Sequence, residues 1–127
     1  MMHSLVPNLM VGNVNETVSF YRDILGFEVV MSMPTSGVMV WAFMKRGGVS
    51  LMFQERHSLT DEFPRYKDQP VGATVTFYID VADVHTLFEH IKGNVIIAAE
   101  MHTTPYGSTE FAIEDINGYV LVFAQHK

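Results

Sequence analysis

The side chains of this chain that could do chemistry are few and scattered. Six histidines, His3, His57, His85, His90, His102 and His126, fall at the termini, on expected helices or in expected loops. His85 and His90 are five residues apart on one expected helix, which is a poor spacing for shared metal ligation. Asp80 and Asp83 flank the end of an expected strand, where capping a helix is work enough for Asp83. Asp61 and Glu62 lie in a polar stretch and read as solvated. Glu110, beside apolar Phe111, could meet a cationic ligand group, although a solvated strand edge is the simpler reading. Cysteine is absent, which excludes disulfides and thiolate chemistry. No strand-turn serine nucleophile and no phosphate-cradling glycine loop is present. Without a poised histidine or a carboxylate pair, hydrolysis and proton transfer have no support in the sequence.

Composition narrows the field further. With 127 residues, 48% of them apolar, the chain can bury a real core and is not disordered. No apolar run is long enough to span a membrane. Met1-Met2-His3-Ser4 lacks the basic start and apolar stretch of a secretion signal, which with the missing cysteines points to the cytoplasm. The net charge of −6 comes without any Lys/Arg cluster, so no nucleic-acid face is expected. Nine methionines are many, and methionine suits irregular cores and adaptable binding surfaces alike.

The elements that must position these residues come in two similar sets. Leu5 to Val11 reads as a strand and Val14 to Leu25 as a helix. Asn13 caps the helix, Glu16 can complete a capping box, and Gly26 stops it. Phe27 to Met33, Val38 to Met44 and Val49 to Gln54 read as strands, the last two joined at Gly47-Gly48. From 55 to 72 the chain is polar, with Pro64 and Pro70, and reads as a long linker or lid in which Ser58 and Asp61 could cap one helical turn. The plan then restarts. Ala73 to Val81 is a strand, and Asp83 caps a helix carrying Val84, Leu87, Phe88 and Ile91 at helical spacing. Asn94 to Ala99 is a strand, followed by a loop with Pro105. Thr109 to Glu114 and Tyr119 to Ala124 flank the Asn117-Gly118 turn, the strongest short-range hairpin signal. Val11, Asn13 and Val14 match Val81, Asp83 and Val84 at an offset of about 70 residues, a sign of an internal repeat. The fold class is therefore α+β, two tandem βαβββ modules at 5–54 and 73–125 around a linker at 55–72. They form a cupped, largely antiparallel sheet with helices outside and a cavity within, the default place for a small molecule.

Two segments carry a family resemblance. Thr17-Val18-Ser19-Phe20-Tyr21-Arg22-Asp23-Ile24-Leu25-Gly26-Phe27 resembles the first-helix motif of the glyoxalase / bleomycin-resistance / extradiol-dioxygenase (vicinal oxygen chelate) superfamily. Glu110-Phe111-Ala112-Ile113-Glu114-Asp115-Ile116-Asn117-Gly118-Tyr119 resembles its terminal hairpin. The resemblance covers essentially the whole chain and specifies no one reaction. It implies that catalytic members hold a divalent metal with His and Glu from four strands, at positions that here carry Val6, Ser50, Thr76 and Val122. Valine cannot bind a metal, and neutral hydroxyls are poor ligands for a divalent ion. The pattern is nearer to the family's metal-free members, which resemble bleomycin-resistance proteins and sequester a ligand. There the aromatic-Gly pair, Tyr106-Gly107 here, stacks at the pocket mouth. The resemblance also implies a homodimer with pockets at or near the subunit interface.

Strand alternation then gives the cavity lining. With Val6, Ser50, Thr76 and Val122 facing in, so do Asn8, Met10, Met52, Gln54, Thr74, Tyr78, Val120 and Ala124. The other parity, Leu9, Val11, Leu51, Phe53, Phe77, Ile79, Leu121 and Phe123, is uniformly apolar and suits packing beneath the helices. Trp41, Tyr106 and Glu110 are added as candidate ligand contacts. The expected function is metal-independent binding of an amphipathic or aromatic organic molecule, with no cofactor. A metal-dependent lyase, isomerase or dioxygenase using a displaced ligand set is one alternative, and a non-catalytic regulatory or interaction subunit is another. Fold alone does not choose between them.

Overall fold

The computed structural model describes all of residues 1–127 and divides into two units, Met1–Val71 and Gly72–Lys127. Each unit holds one four-stranded sheet and repeats one topology.

In the first unit, β1 (Asn8–Val11) leads into α1 (Val14–Asp23), and β2 (Glu28–Met33), β3 (Trp41–Arg46) and β4 (Val49–Glu55) follow. The strand order is β1-β4-β3-β2; β1 pairs with β4 in parallel and the other two pairings are antiparallel. Helix α1 starts where its cap dictates: the Asn13 side chain accepts the Glu16 N–H at 2.9 Å, satisfying one of the orphan donors of the first turn. At the other end Gly26, at a φ of 74°, turns the chain, and Arg46 donates to the Leu25 carbonyl at 2.7 Å. Between these ends Val14, Val18 and Tyr21 recur at helical spacing and are buried. Tyr21 meets Phe53 of β4 at a centroid separation of 4.8 Å and Phe27 at 5.4 Å. Leu9, Val11, Leu51, Phe53, Ala42 and Met44 are buried on the sheet face beneath this helix. Each large side chain so enclosed contributes about 1.5–3 kcal/mol.

In the second unit, β5 (Thr76–Asp80) precedes α3 (Val84–Ile91), and β6 (Ile96–Thr103), β7 (Thr109–Glu114) and β8 (Val120–Gln125) follow. The order is β5-β8-β7-β6, with β5 parallel to β8. Asp83 caps α3 by accepting the Thr86 N–H at 3.0 Å, and the Gln125 side chain accepts the Val84 N–H at 2.9 Å, tying the helix start to β8. Phe88 of α3 packs edge-on to Phe111 at 5.0 Å, and Phe111 meets Phe123 at 5.3 Å. The β7–β8 turn is fastened by buried Asp115, whose Oδ1 accepts the N–H groups of Asn117 (2.8 Å) and Tyr119 (2.9 Å).

The two-module α+β plan is thus the observed one, and five local expectations need correction. The segment 55–72 is not an open linker: it forms α2 (Arg56–Glu62) and a 3-10 turn at Pro64–Tyr66. Its cap is Glu55, which accepts the His57 and Ser58 N–H groups, and not Ser58. Strand β1 starts at Asn8 because Pro7 has no N–H to give the ladder, though its carbonyl still accepts from Met52 at 2.9 Å. Val38, Met39 and Val40 lie outside β3; Asn15 holds this loop by donating to the Gly37 carbonyl and accepting the Met39 N–H. Thr74 lies outside β5, at a left-handed φ of 61°, so strand alternation does not govern it. It follows Gly72, whose φ is 85° and where a Cβ would run into the Asn117 carbonyl. Finally, β6 runs on to Thr103 through two register shifts, which puts His102 on a strand, opposite Glu110.

Candidate functional site

Each sheet buries one face under its own helix, so the opposite face carries whatever site the unit has. In the first unit directly opposed residues share that face. Asn8 stands across from Met52, Met10 from Gln54, Trp41 from Gln54, Phe43 from Met52, and Met33 from Trp41. Ser50 pairs with Lys45 at the far end of the same face. Met31 and Met33 are exposed, Trp41, Phe43, Ser50 and Met52 are half-buried, and Met10 and Gln54 are buried. Thioethers and rings therefore alternate over three strands, a surface that adapts to flat apolar ligands.

A polar chain closes one end of that face. Asn8 Nδ2 donates to Gln54 Oε1 at 2.8 Å, while Gln54 Nε2 donates to Ser58 Oγ at 2.9 Å and to Glu62 Oε1 at 3.2 Å. Helix α2, longer than the single turn expected there, is what supplies Ser58 and Glu62. Gln54 is thus fixed in orientation between a neighbouring strand and a helix, as a buried amide must be.

In the second unit the face opposite α3 carries Thr76, Tyr78, Val120, Val122, Ala124, Glu110 and Ala112. Here the residues singled out from the sequence come together most tightly. Glu110 is only 6% exposed, so the solvated-edge reading of it is wrong. Its Oε2 accepts from Tyr78 Oη at 2.6 Å, from Ser108 Oγ at 2.8 Å and from Tyr106 Oη at 3.5 Å. Ser108 is held in turn by Thr104 at 2.7 Å, both residues being buried, and the Tyr78 hydroxyl lies 3.1 Å from His126 Nε2. The Tyr78 bond, helped by Ser108, holds the Glu110 carboxyl below its ordinary value although burial pushes the other way. The same bond raises the Tyr78 phenol above its ordinary range.

Of the ligand contacts expected from the sequence, Asn8, Gln54, Met10, Met52 and Trp41 form one group, and Tyr78, Tyr106 and Glu110 another. Thr76 and Val122 share the second group's face without joining its hydrogen bonds, Ser50 stands apart on the first face, and Thr74 belongs to neither strand face. Sequence reading missed Ser108, Ser58, Glu62 and His102. For Ser108 a signal existed in its place two residues before a strand glutamate, on the same side of an extended chain.

The four positions where related enzymes would carry metal ligands do not fit a metal. Val6 and Val122 have no donor, and Ser50 and Thr76 offer only neutral hydroxyls. No group of three or more His, Cys, Asp or Glu side chains that could hold a metal ion forms in the chain. No helix is long and apolar enough to cross a membrane.

A family model for the Glyoxalase/Bleomycin resistance protein/Dioxygenase superfamily matches residues 2–123. Among curated proteins no sequence match is found. Among solved structures, a protein of unknown function from Agrobacterium tumefaciens str. C58 is similar at a TM-score of 0.81 and 22% identity, over 100% of this chain and 96% of that one. The bleomycin-binding protein of bleomycin-producing Streptomyces verticillus, solved with copper(II)-bleomycin, is 25% identical over 100% of both chains at a TM-score of 0.67. TnmS3, an antibiotic-binding protein from Streptomyces sp. CB03234, is 19% identical over 100% of this chain and 98% of that one at a TM-score of 0.77.

Proposed function

The chain belongs to the glyoxalase/bleomycin resistance protein/dioxygenase superfamily, and from that premise we propose that it is a metal-independent small-molecule binding protein of the drug-sequestering kind. The superfamily contains both enzymes and non-catalytic binding proteins, so the choice between them rests on the site. The observation that carries the proposal is the chemistry of the two sheet faces opposite α1 and α3. They offer amides, hydroxyls, rings, thioethers and one carboxylate, arranged to bind and orient, with no group of side chains that could hold a Lewis-acid metal. Structural similarity to the bleomycin-binding protein and to the antibiotic-binding TnmS3 supports the same reading.

The ligand is an aromatic or amphipathic organic molecule, laid against the Met31, Met33, Trp41, Phe43 and Met52 surface and oriented by the Asn8–Gln54 amides. Tyr78, Tyr106 and Glu110 offer a separate set of ligand contacts on the second unit. In keeping with the family, the protein works as a homodimer in this proposal, which sedimentation at micromolar concentration would test. The functional test is titration with a library of aromatic drug-like compounds, followed through Trp41 fluorescence with and without EDTA. Saturable quenching that EDTA leaves unchanged, with the compound recovered intact, is expected. Turnover of the compound, or binding lost on chelation, would contradict the proposal.

A further inference from the structure

Glu110 is a buried carboxylate that belongs to no ion pair, with the His102 imidazole acting on it only through space. The ion pairs of the chain join Arg22 to Asp23, His57 to Glu55 and Lys92 to Glu89, and none includes Glu110. A buried charge left unpaired is costly, and hydroxyl donors offset only part of that cost. The way those donors are arranged is informative. All three, from Tyr78, Ser108 and Tyr106, converge on Oε2, and Oε1 accepts none. No fully enclosed side-chain oxygen in the chain lacks a partner, so Oε1 keeps an opening to its surroundings. The tyrosines whose hydroxyls reach the same carboxylate are themselves accessible, Tyr78 at 52% and Tyr106 at 71% exposure. The remaining titratable neighbours are His102, opposite on β6, and His126 beside the Tyr78 hydroxyl; neither hydrogen-bonds to the carboxylate.

We propose that Glu110 Oε1 receives a protonated nitrogen of a small molecule bound on the second unit, an ammonium or amidinium carried on an aromatic or amphipathic body, with the rings of Tyr78 and Tyr106 beside it. This rests on the small-molecule-binding reading and adds the ligand's charge. The hydroxyls fix the carboxylate in advance, Oε1 supplies a charge-assisted hydrogen bond, and the aromatic faces attract the same cation. The protein's excess of acidic over basic side chains draws such a ligand in.

The test uses benzamidine and benzamide, which share a ring and differ in charge, titrated into the full-length protein with NMR detection. Benzamidine is expected to bind about tenfold more tightly. The preference should shrink with added salt and vanish in Glu110→Gln, and Tyr106→Ala should weaken benzamidine more than benzamide. If Glu110→Gln fails to fold, the Glu110 carboxyl carbon signal of the unaltered protein decides: it must move with benzamidine and stay put with benzamide. Equal affinity for the two probes, or a preference that survives Glu110→Gln, overturns the cation site and leaves the binding function standing. Failure of both probes to bind at millimolar concentration counts against both.

Discussion

The Tyr78 hydroxyl reaches the Glu110 carboxylate over an intervening strand. In the order β5-β8-β7-β6, Tyr78 on β5 and Glu110 on β7 flank β8, and their side chains meet at 2.6 Å above it. The register explains how. Tyr78 stands across from Val122 and Glu110 from Ala124, so the phenol passes over the side of β8 where Ala124 presents only a methyl group. Ala124 is fully buried. By register Ala124 lies on the same sheet face between the two strands that carry the phenol and the carboxylate, and its small side chain leaves room there.

Ala124→Leu should therefore act twice. Overpacking of this kind costs about 1–3 kcal/mol, which urea denaturation would measure. The added bulk should also part Tyr78 from Glu110, so that the Glu110 carboxyl titrates at higher pH. A destabilised protein with an unchanged Glu110 titration would refute this account of Ala124.

Tyr78→Phe isolates the bond itself. The Glu110 carboxyl titrates below its ordinary value of 4.5, chiefly because of the Tyr78 hydroxyl. A carboxyl with a lowered folded pKa stabilises the protein above its unfolded pKa, and that stability is lost as pH falls through the lower, folded value. Tyr78→Phe should raise the Glu110 pKa toward 4.5 and flatten the dependence of stability on pH across that acidic window. Carboxyl-carbon NMR reads the first effect and denaturation at several acidic pH values the second. An unmoved Glu110 titration would show that the hydroxyl is not what holds the charge.

Asp115→Ala should loosen the β7–β8 turn. It removes the carboxylate oxygen that accepts the Asn117 and Tyr119 N–H groups, and leaves the buried Tyr119 donor without it. A loss of about 2–3 kcal/mol is expected, with faster amide exchange concentrated at residues 117–119. Uniform exchange over the whole unit would contradict the local role.

Gly72→Ala should destabilise although the position is not a core site. Its φ of 85° disfavours a side chain, and a Cβ would meet the Asn117 carbonyl. The expected cost is about 1–3 kcal/mol by denaturation. A neutral effect would mean that the turn at 72–75 shifts freely.

Much of this architecture is legible in the sequence because local chemistry and tertiary packing agree. Asn13 and Asp83 announce their helices and cap them as expected. The parity of Leu9, Val11, Leu51, Phe53, Phe77, Ile79, Leu121 and Phe123 gives the helix-covered faces; six of the eight are buried, and Phe77 and Ile79 are half-buried. The misses have physical causes. Helix α2 has one buried apolar residue, Leu59, so no periodic stripe reveals it, and its cap is a glutamate outside the usual set. Strand β6 passes through two bulges, where alternation fails as a guide, and His102 was missed with it. Thr74 takes a conformation that a β-branched residue rarely adopts. Glu110 looks like an edge residue because its burial depends on hydroxyls that are distant in sequence or lie in a loop. The donors that surround it come together only when β5, β7 and β8 are assembled.

The most direct measurement of the central claim is native mass spectrometry of the purified, unchelated protein, offered Ni²⁺, Zn²⁺, Mn²⁺ and Fe²⁺ together with an aromatic ligand found by Trp41 quenching. The account predicts that the ligand stays bound, intact, at the polypeptide mass without metal. One metal ion retained per site at low micromolar concentration, with the ligand binding only to the metal-loaded species, would contradict it.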